Sequence, residues 1–126
     1  MKALQIVEAA YRGTIEEQDD TIIWLTHAMK GAGGDLDLLL RADSVNYAAK
    51  GQDASGFRVG SWHQTQPPRI DNDVAALLPK GIKVYAVSED ADVRGLSAAD
   101  MVDGVEMVSR AGLPHLFAGY DQIWHW

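Results

Sequence analysis

The chain has no cysteine among its 126 residues. That absence excludes disulfides, thiolate zinc sites, cysteine nucleophiles and any persulfide carried on the chain itself. No apolar run approaches the roughly 20 residues that a membrane helix needs. The apolar start Met1–Val7 gives way at once to Glu8, too short for the roughly 7–15-residue core of a signal peptide. A cytoplasmic protein with no membrane contact is expected. Cations are also scarce: 11 Lys and Arg stand against 18 Asp and Glu, for a net charge of -7. They are scattered, so no basic patch is present to neutralise phosphates, and no nucleic-acid partner is expected. Neither a Gly-x-Gly-x-x-Gly turn nor a P-loop follows the first strand, and no Gly-x-Ser-x-Gly elbow is present. The four histidines, His27, His63, His115 and His125, have no local metal-ligand spacing. The expectation is therefore no metal and no cofactor.

What remains is an ordinary globular composition, 47% hydrophobic and 23% charged, long enough for one core and one domain over residues 1–126. Gly81–Leu96, GIKVYAVSEDADVRGL, organises the rest. Ile82, Val84, Tyr85, Ala86 and Val87 form a short apolar run bounded by Gly81 and by Ser88-Glu89-Asp90, the pattern of a strand covered on both faces. Ser88 suits the N-cap of a following helix reaching Gly95.

Before it, a strand within Lys2–Ala9 leads to Thr14-Ile15-Glu16-Glu17, a capping box that predicts a helix carrying Ile15, Ile22, Leu25 and Met29 and stopped by Gly31 and Gly33-Gly34. Asp35–Arg41 reads as a second strand and Asp43–Lys50 as a short turn or helix. Gly51–Gln66 is predicted to be irregular, and its length marks it as a segment that packs down or meets a partner. Pro67-Pro68 opens a helix with Ile70, Val74, Leu77 and Leu78 on one face. After the central strand, Ser97-Ala98-Ala99-Asp100 repeats the capping box. Val105–Val108 is a strand, Ser109 caps a last helix with Leu113, Leu116 and Phe117, and Gln122–Trp126 is a fifth strand. Strands alternating with helices in this way predict a three-layer α/β/α sandwich around a mainly parallel five-stranded sheet, a flavodoxin-like architecture.

In open parallel sheets the ligand crevice lies beyond the carboxyl ends of the strands. The residues expected there are Glu8, Tyr11, Arg12, Arg41, Asp43, Ser88, Glu89, Arg110 and His125. Two carboxylates and a histidine suit general acid–base work if burial shifts their pKa values. The favoured reading of the same residues is a set of caps and surface ion pairs, because structural and functional networks look alike from sequence. Trp124 and Trp126 would share one face of the last strand and His125 the other. Together with Trp62 they are interface candidates, tryptophan being enriched in subunit contacts.

KVYAVSEDADVRGL, followed by LSAADMVDGVEMVSRAGLPHLFAGYDQIWHW, resembles the DsrE/DsrF-like (DsrEFH) family of intracellular sulfur-relay proteins. The likeness rests on Gly81, Arg94-Gly95-Leu96, Asp103-Gly104-Val105 and Asp121, with a weaker echo over Ala28–Lys50. It implies a DsrEFH-like fold and assembly with copies of itself or related subunits. In many members a cysteine that accepts the persulfide ends the third strand, and the resemblance puts that position at Val87. Sulfur transfer through a thiol of this chain is thereby excluded. The resemblance thus implies a non-catalytic oligomeric scaffold or partner-binding subunit. A small-molecule-binding module or enzyme that uses the strand-end crevice without cysteine is the alternative.

Overall fold

The computed structural model describes residues 1–11, 20–53 and 55–126. Its central sheet has five strands, β1 (Lys2–Val7), β2 (Asp35–Leu40), β5 (Val84–Val87), β6 (Glu106–Val108) and β7 (Gln122–His125), in the order β6-β5-β2-β1-β7. Every pairing within it is parallel. Leu38, Leu39 and Leu40 are fully buried, as are Val84 and Ala86, because the three inner strands are covered on both faces. A separate antiparallel hairpin, β3 (Arg58–Val59) and β4 (Trp62–His63), rises from the stretch expected to be irregular.

Three successive steps in one direction, β1 to β2 to β5 to β6, place α1 (Thr21–Gly31), α2 (Ile70–Leu77) and α3 (Ser88–Asp92) on one face by right-handed crossover. The return from β6 to β7 puts α4 (Leu113–Phe117) on the other. The two cores differ accordingly. Ile22, Ile23, Leu38, Leu40, Val74 and Leu77 belong to a broad cluster under α1 and α2. The α4 face buries Leu4, Ile6, Leu39, Tyr85 and Val87 beneath the partly exposed Leu113, Leu116, Phe117 and Tyr120.

The expected capping box Thr14–Glu17 lies outside the described residues. The described helix α1 is capped by Asp20, whose Oδ1 accepts the amides of Ile22 and Ile23 at 2.9 and 3.2 Å. Its other oxygen accepts the Tyr47 hydroxyl at 2.7 Å, tying α1 to the 3-10 segment Ala42–Ala48. Two further caps differ in detail from expectation. Val87, not Ser88, takes the N-cap place of α3, and Ser88 is its first residue. Helix α2 begins at Ile70 after Arg69 rather than at the proline pair. Gly81 stops the following 3-10 turn in the left-handed region at φ 78, where a side chain would be strained. The Ser97–Asp100 capping box is present, although it caps only the 3-10 turn Ala98–Asp100.

Candidate functional site

Strand order reverses between β1 and β7, so the crevice of this sheet is at their carboxyl ends. The ladder continues to the last residue: the Trp126 amide donates to the Ile6 carbonyl and the Glu8 amide to the Trp126 carbonyl. Beside this ladder His125 Nε2 lies 2.9 Å from Glu8 Oε2, and Arg41 lies 4.0 Å from Glu8 Oε1. These three side chains are each about half exposed. The arrangement can orient an imidazole and offer a guanidinium to an anion. All three remain open to solvent, and the pairs they form are surface ion pairs.

A second group surrounds the end of β5. Val87 is 1% exposed and points to the α4 face. Asp90, in the first turn of α3, accepts the Ala42 amide at 2.7 Å and Arg110 Nη2 at 2.6 Å. Burial alone would raise its pKa, but the Ala42 amide, the Arg110 guanidinium and the more distant Arg41 outweigh burial and hold it below the ordinary aspartate range. Glu89 accepts the Arg110 amide at 2.8 Å, and Arg94 links the Asp90 carbonyl to Asp43. Ala42 is at φ 49, a left-handed conformation unusual for alanine, and the bond from its amide to Asp90 holds it there.

The structure therefore divides the residues expected in one crevice. Glu8, Arg41 and His125 form one group, while Arg110 gathers Glu89 and Asp90 into another, with Asp43 joined to it by Arg94. Ser88 is half-buried at the start of α3. Tyr11 leaves both groups: its ring meets Tyr47 edge-on at 5.4 Å on the α2 side, and burial followed by the nearby Asp71 charge raises its pKa. Arg12 lies outside the described residues. Sequence reasoning missed Asp90 as the hub, and its signal was an acid in the first turn of a helix following a buried strand. It also missed a buried acid at the opposite end of the sheet. Asp37 accepts the Tyr120 hydroxyl at 2.7 Å and the Lys83 amide at 2.8 Å, with Lys2 Nζ 3.0 Å away. Burial, then hydrogen bonding to Asp37 and Tyr85, raises the Tyr120 pKa far above its usual value.

Trp124 and Trp126 flank the crevice on the α1 side. With Leu25, Met29 and His125 they line an open groove of about 470 Å³. Both indole N–H groups are used within the chain, Trp124 to Gln122 at 3.0 Å and Trp126 to the buried Gln5 at 3.1 Å. The groove thus presents apolar ring surface. A second cleft of about 550 Å³ runs along α2 between Lys50, Arg69 and Asp103. Among the described residues no cluster of His, Asp and Glu could hold a metal ion, and no helix is long and apolar enough to cross a membrane.

The geometry matches solved structures along its whole length. The crystal structure of the ychN protein from E. coli superposes with a TM-score of 0.65 at 22% identity, covering 100% of both chains. The protein of unknown function MTH1491 from Methanobacterium thermoautotrophicum gives 0.65 at 15% identity, covering 98% of this chain and 97% of its own. BT1422 from Bacteroides thetaiotaomicron, also of unknown function, gives 0.68 at 14% identity, covering 98% and 94%. The likeness is one of fold. No protein-family model matches the chain. No curated protein matches it either.

Proposed function

We propose that this chain is a DsrE/DsrF-like protein with no thiol chemistry of its own, acting as an oligomeric scaffold or partner-binding subunit linked to intracellular sulfur metabolism. The observation that carries the reading is the closed state of the strand end at Val87. The residue is buried under α4, and the polar groups around it are joined to one another by Asp90. A site that received a substrate there would need open space and donors not already engaged. The fold shared with the ychN protein supports the family assignment, and the family's intracellular setting makes the cytoplasm the proposed compartment. Light scattering over a dilution series tests the assembly. More than one chain per particle is expected, and a clean monomer at micromolar concentration would overturn the reading.

One observation favours the second reading, a small-molecule-binding module. Glu8, Arg41 and His125 stand together at the switch point of the sheet. A saturable thermal shift with a small anion, lost in Arg41→Gln, would support it.

A further inference from the structure

The cleft along α2 combines open space with donors that the chain leaves unspent. It holds about 550 Å³, with an apolar wall of Ala75, Leu78, Pro79 and Val102, and Lys50 and Arg69 supply its cations. Asp71 brings these two cations together. Its Oδ1 lies 3.4 Å from Arg69 Nε, and its Oδ2 accepts the amides of Gly51 and Gln52 at 3.1 and 3.3 Å. Asp71 is buried, which alone would raise its pKa, but the Arg69 guanidinium and the amides of Gln52 and Asn72 hold it below the ordinary aspartate range. An ionised carboxylate fixed in this way orients the guanidinium through Nε alone. Among the described residues, both Nη groups of Arg69 are left without a partner.

The wall that carries Lys50 is tied down on both sides. Gln52 Nε2 donates to the carbonyls of Asn46, Tyr47 and Ala49 at 2.8, 3.2 and 3.0 Å. The Lys50 amide donates to the Asp100 carbonyl at 2.8 Å and the Val102 amide to the Ala48 carbonyl at 2.7 Å. The cleft is thus formed before a ligand arrives, as small-molecule sites usually are. What it has to offer is cationic. Both oxygens of Asp71 are engaged. Asp103 is 97% exposed and 3.4 Å from Lys50, a solvated pair that Lys50 can leave at little cost. A guanidinium with two unspent Nη groups is matched by a carboxylate, which it holds through two parallel N–H···O bonds.

We propose that this cleft binds a small carboxylate with an aliphatic tail. The carboxylate meets the Nη groups of Arg69, Lys50 turns from Asp103 toward it, and the tail lies on Ala75, Leu78, Pro79 and Val102. The site is separate from the Glu8–Arg41–His125 group, and it requires neither an oligomer nor a ligand at the strand ends.

The test is a titration of the full chain with sodium hexanoate, with the backbone amides followed by NMR. Saturable shifts are expected at Gly51, Asn72, Ala75 and Asp103. Acetate, which lacks the tail, should bind at least about tenfold more weakly, and hexanol, which lacks the charge, should give no saturable shift at these amides. Arg69→Gln should weaken hexanoate at least about tenfold, while Arg58→Gln, on the β3–β4 hairpin, should leave it unchanged. Lys50→Gln keeps the Arg69–Asp71 pair intact and should weaken hexanoate about threefold. No saturation on the unmodified chain, or equal affinity in Arg69→Gln, would overturn the proposal. Saturable shifts confined to Glu8, Arg41 and His125 would overturn it in favour of the strand-end site. Inorganic phosphate binding at the same amides as tightly as hexanoate would overturn the assignment to a carboxylate with a tail.

Discussion

Two regions share the carboxyl end of the sheet and differ in almost every physical respect. At the centre, beyond β5, Val87 is buried and Asp90 joins Ala42 to Arg110, so charges and amides answer one another inside the chain. At the flank, beyond β1 and β7, Glu8, Arg41 and His125 are half exposed and two tryptophans border an open groove. Parallel sheets of this order are usually read for chemistry at strand ends. Here the central end is a structural joint, and the free surface lies at the edge strand. An edge strand presents unpaired backbone groups, and proteins cover such edges or use them. The comparison therefore sets a closed centre against an open flank on one face of the sheet.

The largest expected effect comes from removing the flank. Deleting Trp124–Trp126 takes away much of β7 and strips the donor that Gln5 receives from Trp126. A loss of about 2–4 kcal/mol is expected from the lost strand pairing and the half-covered indole rings, less than truncation of fully buried tryptophans would cost, read by chemical denaturation together with sedimentation. If the shortened chain melts and sediments like the parent, the flank is a mere tail.

Next in size is the central joint. Asp90→Asn should cost about 1–3 kcal/mol, because the Arg110 guanidinium and the Ala42 amide lose an ionised acceptor. The pH dependence has a definite sign. The folded protein holds the Asp90 carboxyl below its unfolded range. Its contribution is thus complete above about pH 4 and is lost as pH falls through the lower folded value. The unmodified chain should lose more stability than Asp90→Asn on acidification through that window. Parallel pH curves for the two proteins would show that Asp90 does not hold the centre together.

The smallest effect is expected where the ion pair is exposed. Glu8→Gln should change stability by less than about 0.5 kcal/mol, since surface pairs contribute little against solvent. A loss near that of Asp90→Asn in the same denaturation experiment would erase the contrast between flank and centre.

Much of the fold was legible because its signals were local. The run Val84–Val87, the stop at Gly81, the Ser97 box and the alternation of Trp124, His125 and Trp126 each depend on neighbours in sequence. The site was legible only in part. Asp90 is joined to Arg110, a contact 20 residues apart, and to Ala42, 48 residues apart, and nothing nearby in sequence selects those partners. Asp37 and Tyr120 are separated by 83 residues and meet only because α4 crosses the opposite face. The hairpin was hidden for another reason: two strands of two residues each are too short to show a period. Tyr11 was misplaced because the turn after β1 enters the left-handed region, with Tyr11 itself at φ 55, and directs its ring toward Tyr47.

The contrast between centre and flank is tested most directly by a thiol placed at the centre. Val87→Cys should fold, a free cysteine being close to valine in size and apolar character. Burial and the ionised Asp90 in the adjoining turn both disfavour a thiolate, so its midpoint of alkylation should lie above the ordinary thiol value of about 8.5. Val93→Cys, on a residue 78% exposed, is the solvent reference. The measurement is the rate of iodoacetamide labelling against pH for the two variants. The account predicts that Val87→Cys reacts more slowly at every pH and with the higher midpoint. A Val87→Cys thiol that labels faster than the reference, with a midpoint well below about 8.5, would contradict it and show that the strand end is still built to activate sulfur.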